Sequence, residues 1–390
     1  MSRAFLIVMD SVGCGGAPDA AAFGDEGADT LGHIANACLQ GRAEDGRSGP
    51  LRMPHLTRLG LGAFIGQPDP DPTGLWARAT EVSPGKDTPT GHWELAGVRV
   101  PWDWHYFPNQ KPAFPKEISS LVAALAESDG ILGDCHASGT EIIDDLGLEH
   151  IATGAPICYT SADSVFQIAA HEEHFGLGKL LDLCQSIAPK LHEMKVGRVI
   201  ARPFVGSKPS EFKRTSNRRD FAIEPPAPTL CDWAYAAGRD VHAIGKIGDI
   251  FSGRGITDVV KGDDAQLMTH LEDVARNAAD GSLIFANFVE FDALYGHRRD
   301  VPGYARALEW FDAQMPRLFA QFRPGDFAIL TADHGNDPTW HGTDHTREQV
   351  PVIGWGRGAR SLGEVSFVDI AASIADHLEI PASGPGRSFL

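Results

Sequence analysis

Three aspartates in this 390-residue chain each follow an apolar run of strand length: AFLIVM leads to Asp10, LIFANFVEF to Asp292 and FAILTA to Asp333. In an open parallel sheet, ligands gather beyond the carboxyl ends of the strands, so three such aspartates would meet at one edge. Carboxylates brought together repel one another unless a cation lies among them. Histidines follow closely: His297 comes five residues after Asp292, His334 directly after Asp333, and His345 eleven residues beyond His334. Three aspartates and three histidines make a nitrogen and oxygen set suited to two divalent ions. Taken singly, each is as well explained as a helix cap or a locally satisfied histidine. The six together point to a metal centre.

A second cluster, SPGKDTPTGHWELAG at 83–97, brings hydroxyls. Thr88 and Thr90 are both candidate nucleophiles, because a neighbouring base or metal can activate a hydroxyl at neutral pH. The glycines and prolines of this stretch exclude a continuous helix and predict a loop. Two other clusters carry less. HEEH at 171–174 spaces its histidines three apart, whereas the zinc protease motif needs four, which predicts a surface feature. The glycines at 13–16 lack full dinucleotide or P-loop spacing and predict a tight turn.

The elements that must position these residues alternate along the chain. Continuous apolar runs at 4–9, 241–245, 283–288, 327–330 and 350–355 suit strands buried on both faces. Between them, 264–278 and 303–322 place apolar residues at helical spacing, the latter with Tyr304, Leu308, Phe311, Met315 and Leu318. This alternation predicts an α/β fold with a mostly parallel sheet flanked by helices. A Pro- and aromatic-rich stretch at 100–115 and a Pro-rich one at 224–229 interrupt it, so 1–101 and 223–390 are expected to form a core domain with 102–222 inserted as a smaller α/β domain. The inserted segment carries a basic stretch, from Arg198 and Arg202 through Lys213, Arg214, Arg218 and Arg219.

A formal charge of -18 argues against nucleic acid or an anionic membrane as a partner. It also requires that any phosphate substrate be met by local cations. Six scattered cysteines without a CxxC pair read as reduced thiols. The first ten residues hold too short an apolar run for a signal peptide, and no stretch of about 18 apolar residues occurs, which predicts a cytoplasmic protein.

MDSVGCGG near the start, GKDTPTGHWE at 85–94, FVEFDALYGHRRD at 288–300 and TADHGNDPTWHGTDHTREQVPV at 331–352 together resemble the phosphopentomutases of the alkaline phosphatase superfamily. YTSADSVFQIAAHEE at 159–173 and VGRVIARPF at 196–204 extend the resemblance into the middle of the chain. It implies an alkaline-phosphatase-like core holding two manganese ions, other divalent ions being alternatives, and an inserted cap. By matched motifs, Asp10, Asp333 and His334 would hold one metal and Asp292, His297 and His345 the other, with Thr88 as the phosphorylated nucleophile. Ser161, Asp163, Arg198, Arg202 and Lys246 would face a pentose phosphate. The implied reaction interconverts (deoxy)ribose 1-phosphate and (deoxy)ribose 5-phosphate, primed by a sugar bisphosphate such as glucose 1,6-bisphosphate. A phosphatase or phosphoglycerate mutase of the same superfamily is the alternative. The sequence leaves the oligomeric state open, with a monomer plausible.

Overall fold

The computed structural model describes residues 2–161 and 163–390, and the chain divides into two compact units, Met1–Pro101 with Pro225–Leu390, and Trp102–Glu224. The first is built on an eight-stranded sheet whose strands lie in the order Asp258–Val260, Val241–Ile244, Leu283–Phe288, Ala4–Met9, Phe327–Thr331, Val350–Trp355, Leu75–Thr80 and Arg360–Ser366. Among these, Val350–Trp355 alone runs against its neighbours, pairing antiparallel on both sides. Its apolar run resembles those of the parallel strands, so its direction was not expected from sequence.

Every residue of Ala4–Met9, Leu283–Phe288 and Phe327–Thr331 is buried, which requires cover on both faces of the sheet. Two groups of mutually packed helices provide it. One contains Thr30–Leu39, Pro54–Leu59, Asp264–Asn277 and Val301–Phe319; the other contains Thr88–Leu95, Leu230–Ala236, Ile247–Ile250 and Phe367–His377. The helix expected at 303–322 starts at Val301, where Pro302 suits the first turn, and ends at Phe319; Tyr304, Leu308, Phe311, Met315 and Leu318 are its buried stripe.

The segment 83–97 is not one continuous helix, as expected, but the loop expected around Thr88 is corrected. Thr88–Leu95 is an α-helix with Asp87 as its N-cap. Pro89 lies in the first turn, where its missing N–H costs nothing, and the Asp87 carboxylate accepts from the Thr90 N–H at 3.0 Å.

The inserted unit has its own six-stranded mixed sheet, formed by Leu132–His136, Ile157–Thr160, Val165–His171, Arg198–Val205, Lys213–Arg214 and Arg219–Ala222. Helices Lys116–Ala126, Glu141–Thr153 and Leu177–Glu193 pack on it. No helix among the described residues is long and apolar enough to cross a membrane, and all six cysteines are free thiols.

Candidate metal centre and nucleophile

Three neighbouring parallel strands, Leu283–Phe288, Ala4–Met9 and Phe327–Thr331, deliver Asp292, Asp10 and Asp333 just past their carboxyl ends. Ser11, immediately after Asp10, has a φ of 71°, unusual for a residue with a side chain. In that conformation its N–H donates to Asp333 Oδ1 at 3.1 Å, and its hydroxyl meets the Tyr304 hydroxyl at 2.9 Å. The strained turn thereby joins two of the aspartates.

The histidines converge on the carboxylates through Nε2. His297 Nε2 lies 3.1 Å from Asp292 Oδ2, and His345 Nε2 lies 3.5 Å from Asp292 Oδ1 and 3.2 Å from His297 Nε2. His334 Nε2 lies 3.5 Å from Asp10 Oδ1 and 3.3 Å from Asp333 Oδ2. Each ring turns Nδ1 to a backbone carbonyl: His297 to Thr343 O at 2.6 Å, His345 to Lys86 O at 2.8 Å and His334 to Gly335 O at 3.1 Å. A donating Nδ1–H leaves Nε2 with its lone pair directed at the cluster, an orientation common to metal-ligating histidines.

Two groups of donor atoms lie close enough to share an ion: Asp292, His297 and His345, and Asp10, Asp292 and His334. Asp292 belongs to both, so they are adjacent. Asp333 adjoins the second group through His334 but directs Oδ2 toward His92 Nδ1 at 3.0 Å.

The electrostatics suit a divalent cation at this place. Burial first, and then the charges of Asp333 and Asp292, push the pKa of Asp10 well above the usual carboxylate range. Burial opposes ionisation of Asp292 as well, but His345 and His297 hold it well below that range. Asp333 falls to about 2, the nearby His334 and His92 outweighing burial. Burial brings His334 down to about 4, whereas the Asp292 charge overcomes burial and lifts His345 to about 9. Asp10 Oδ1 is buried without a hydrogen-bond donor among the described residues. A buried carboxylate oxygen in that condition is costly unless a cation meets it, so the donor set suits divalent ions.

Thr88 opens its helix with Oγ1 3.4 Å from His334 Nε2. Thr90 differs from it. Its hydroxyl donates to Asp87 Oδ2 at 2.8 Å, and its side chain is buried as part of the cap. The helix comes close to Asp333 because residue 91 is glycine: a Cβ there would lie 2.0 Å from the Asp333 carbonyl oxygen.

Several residues of this centre escaped the sequence reading. Arg347, buried two residues past His345, donates to Glu81 Oε2 at 2.6 Å, to the Gly85 carbonyl and to Asp19, tying the segment before Thr88 to the one carrying His345. Asn336 Nδ2 donates to Asp292 Oδ1 at 2.7 Å. Arg299 donates to Asn336 Oδ1 and to the carbonyls of Gly342 and Asp344, bracing the loop before His345. Asn287 and His92 form a further link to Asp10. A polar Asn287 inside the fully buried strand LIFANF was the one available signal.

Lys246 follows Val241–Ile244, where its charge lowers the pKa of Asp10. The other candidate substrate residues belong to the inserted unit. Arg198 lies 3.9 Å from Asp163 and 3.8 Å from Asp220, Arg202 donates to Gln167 at 2.6 Å, and Ser161 follows directly on Ile157–Thr160. In HEEH, His171 is buried and caps the following turn by accepting from the N–H groups of Glu173 and His174.

Comparison with known proteins agrees with this chemistry. Residues 2–382 match the Metalloenzyme superfamily. Phosphopentomutases of Rhizobium johnstonii, Agrobacterium fabrum and Methylobacterium radiotolerans are 56%, 54% and 54% identical to the chain, each alignment covering 100% of both proteins. A solved structure from Pyrococcus horikoshii shares the fold at a TM-score of 0.50 and 12% identity, over 97% of each chain. With this identity along its whole length and this constellation at its sheet edge, the chain belongs to the phosphopentomutase family of the Metalloenzyme superfamily.

Proposed function

We propose that this protein interconverts ribose 1-phosphate and ribose 5-phosphate, or their deoxyribose counterparts, by passing a phosphoryl group through Thr88. The observation that carries this reading is the place of the Thr88 hydroxyl, at the first residue of a helix and 3.4 Å from His334 Nε2 within the carboxylate and imidazole cluster. A helix N-terminus favours the negative charge that a phosphothreonine would bring there.

Two divalent ions, manganese in our assignment, would be held by Asp10, Asp333 and His334 and by Asp292, His297 and His345, and would neutralise charge on the attacking and leaving oxygens. Around them the chain's own residues do the positioning. Asp87 caps the first turn and Arg347 fixes the preceding segment, so the Thr88 hydroxyl is presented in one place. Phosphorylated Thr88 donates to the free hydroxyl of a pentose monophosphate, giving a 1,5-bisphosphate. The other phosphoryl group then returns to Thr88, leaving the isomeric monophosphate. We assign recognition of the pentose phosphate to Ser161, Asp163, Arg198, Arg202 and Lys246, since arginine can clamp phosphate with two parallel hydrogen bonds. A sugar bisphosphate such as glucose 1,6-bisphosphate would prime unmodified Thr88, and the setting would be the cytoplasm.

The test is to supply glucose 1,6-bisphosphate and manganese, map phosphate by peptide mass spectrometry and assay ribose 1-phosphate turnover. Phosphate is expected on Thr88, with turnover abolished in Thr88→Ala while the fold and metal content persist. Phosphate on Thr90, or an active Thr88→Ala protein, would remove the assignment. Release of inorganic phosphate without isomerisation would make the protein a phosphatase.

A further inference from the structure

His92 is fully buried one helical turn beyond Thr88 and lies outside both groups of donor atoms close enough to share an ion. Its two ring nitrogens face different partners. Nε2 lies 2.7 Å from Asn287 Nδ2, which also lies 3.0 Å from Asp10 Oδ2. Nδ1 lies 2.9 Å from the Thr88 carbonyl oxygen and 3.0 Å from Asp333 Oδ2.

These contacts fix the proton positions. The Asn287 amide nitrogen can only donate, one hydrogen toward Asp10 Oδ2 and one toward His92 Nε2, and the Thr88 carbonyl facing Nδ1 can only accept. Turning the amide over would relieve Asn287 Oδ1, which is buried without a partner among the described residues. It would also take the donor away from Asp10 Oδ2, in a carboxyl whose Oδ1 already has none among the described residues. His92 Nε2 is therefore an acceptor, and the ring's hydrogen sits on Nδ1, donated to the Thr88 carbonyl, with Asp333 Oδ2 3.0 Å away beside it.

We propose that His92 is a positioning residue whose Nδ1–H tautomer, set by the Asn287 amide on one side and the Thr88 carbonyl on the other, holds the Thr88 backbone in register with Asp10. The first turn of the nucleophile helix and one carboxylate of the centre thus share one hydrogen-bonded chain, Asp10 to Asn287 to His92 to Thr88, which passes 3.0 Å from Asp333 Oδ2. This role rests on the reading of Thr88 as the phosphoryl carrier. It concerns registration of the hydroxyl, so it predicts a loss in kcat with little change in KM for the sugar.

His92→Phe keeps a ring and removes both hydrogen bonds, whereas His92→Gln retains one acceptor and one donor. His92→Phe should lower kcat about a hundredfold, as a misplacement of about 1 Å does, and slow Thr88 phosphorylation by glucose 1,6-bisphosphate in parallel, with KM within about twofold. His92→Gln should recover most of that loss. In the full-length protein loaded with diamagnetic magnesium, nitrogen-15 spectra of labelled histidine, assigned by the signals lost in His92→Gln, should show His92 protonated on Nδ1. Asn287→Ala should release that preference. A wild-type His92 protonated on Nε2 would overturn the inference whether or not any variant folds. Equal losses in the Phe and Gln variants, or an unchanged kcat in His92→Phe, would overturn it as well. Absence of phosphate from Thr88 in the wild-type protein would instead bring down the underlying reading, an outcome separate from the tautomer result.

Discussion

At the scale of single residues, the three imidazoles of the centre differ in the proton each must give up before a metal can bind. His334, brought down to about 4 chiefly by burial, is already neutral at pH 7. His345 is opposed by burial but lifted to about 9 by Asp292, and His297 is raised by its hydrogen bond to the same carboxylate. In the metal-free protein, the raised pKa of His345 contributes stability fully below about pH 6.5, its unfolded value, and that contribution fades as the pH climbs through 9. A cation reverses this order by displacing the protons. Loading the metal-free protein at pH 7 should therefore release about one to two protons, measurable by titration calorimetry in buffers of different ionisation enthalpy, and apparent affinity should rise with pH until about 9. Proton-neutral binding at pH 7 would show that His297 and His345 are not the ligands displaced. The meeting of these six side chains at one sheet edge was legible in the sequence because strand-terminal aspartates and short histidine spacings repeat a pattern. Asn287, His92 and Arg347 were not, since each acts as one polar residue brought in from a distant segment, and no local spacing records such a meeting.

At the scale of elements, the helix Thr88–Leu95 shows where the local signals misled. Two of its eight residues, Pro89 and Gly91, break helices in general, yet here the proline occupies the first turn and the glycine faces Asp333. Gly91 also allows a test, because propensity and contact predict opposite results. In an ordinary helix, glycine to alanine stabilises by roughly 1 kcal/mol. Here the added Cβ would meet the Asp333 carbonyl oxygen at 2.0 Å, so either the helix or the Asp333 segment must move. Gly91→Ala should lower the melting temperature and cut kcat about a hundredfold, the scale associated with a displacement of about 1 Å at a reacting group. A more stable and fully active variant would show that the close approach is unimportant. The direction of Val350–Trp355 was illegible for a different reason. An apolar strand buried on both faces carries no period that distinguishes parallel from antiparallel, and its pairing is decided by where the chain turns back.

At the scale of the whole molecule, an acidic protein meets an anionic substrate, and both compact units are acidic overall. The aspartates of the centre all belong to the first unit, while the arginine-rich stretch from Arg198 to Arg219 belongs to the inserted one. Whether the inserted unit is a structure in its own right depends on whether its core closes without the rest of the chain. Alternate residues along its strands face different clusters. Phe166, Ile168 and Ala170 pack with helices Lys116–Ala126 and Leu177–Glu193, whereas Ala169, with Ile157 and Tyr159 on the neighbouring strand, packs with Ile142 and Ile143 of Glu141–Thr153. This period of two places one cluster on each face of the six-stranded sheet, so both faces are covered from within residues 102–224. It is flanked by Pro101 and Pro225 of the first unit, prolines that interrupt rather than continue an element. A fragment spanning Trp102–Glu224 should therefore fold alone, showing mixed helix and strand by circular dichroism and one cooperative thermal transition. Phe166→Ala and Tyr159→Ala, one on each face, should each lower that transition, at a cost of about 3–5 kcal/mol for a buried phenylalanine. A fragment that melts without cooperativity, or a transition that neither substitution moves, would mean that the inserted unit borrows its stability from the rest of the chain.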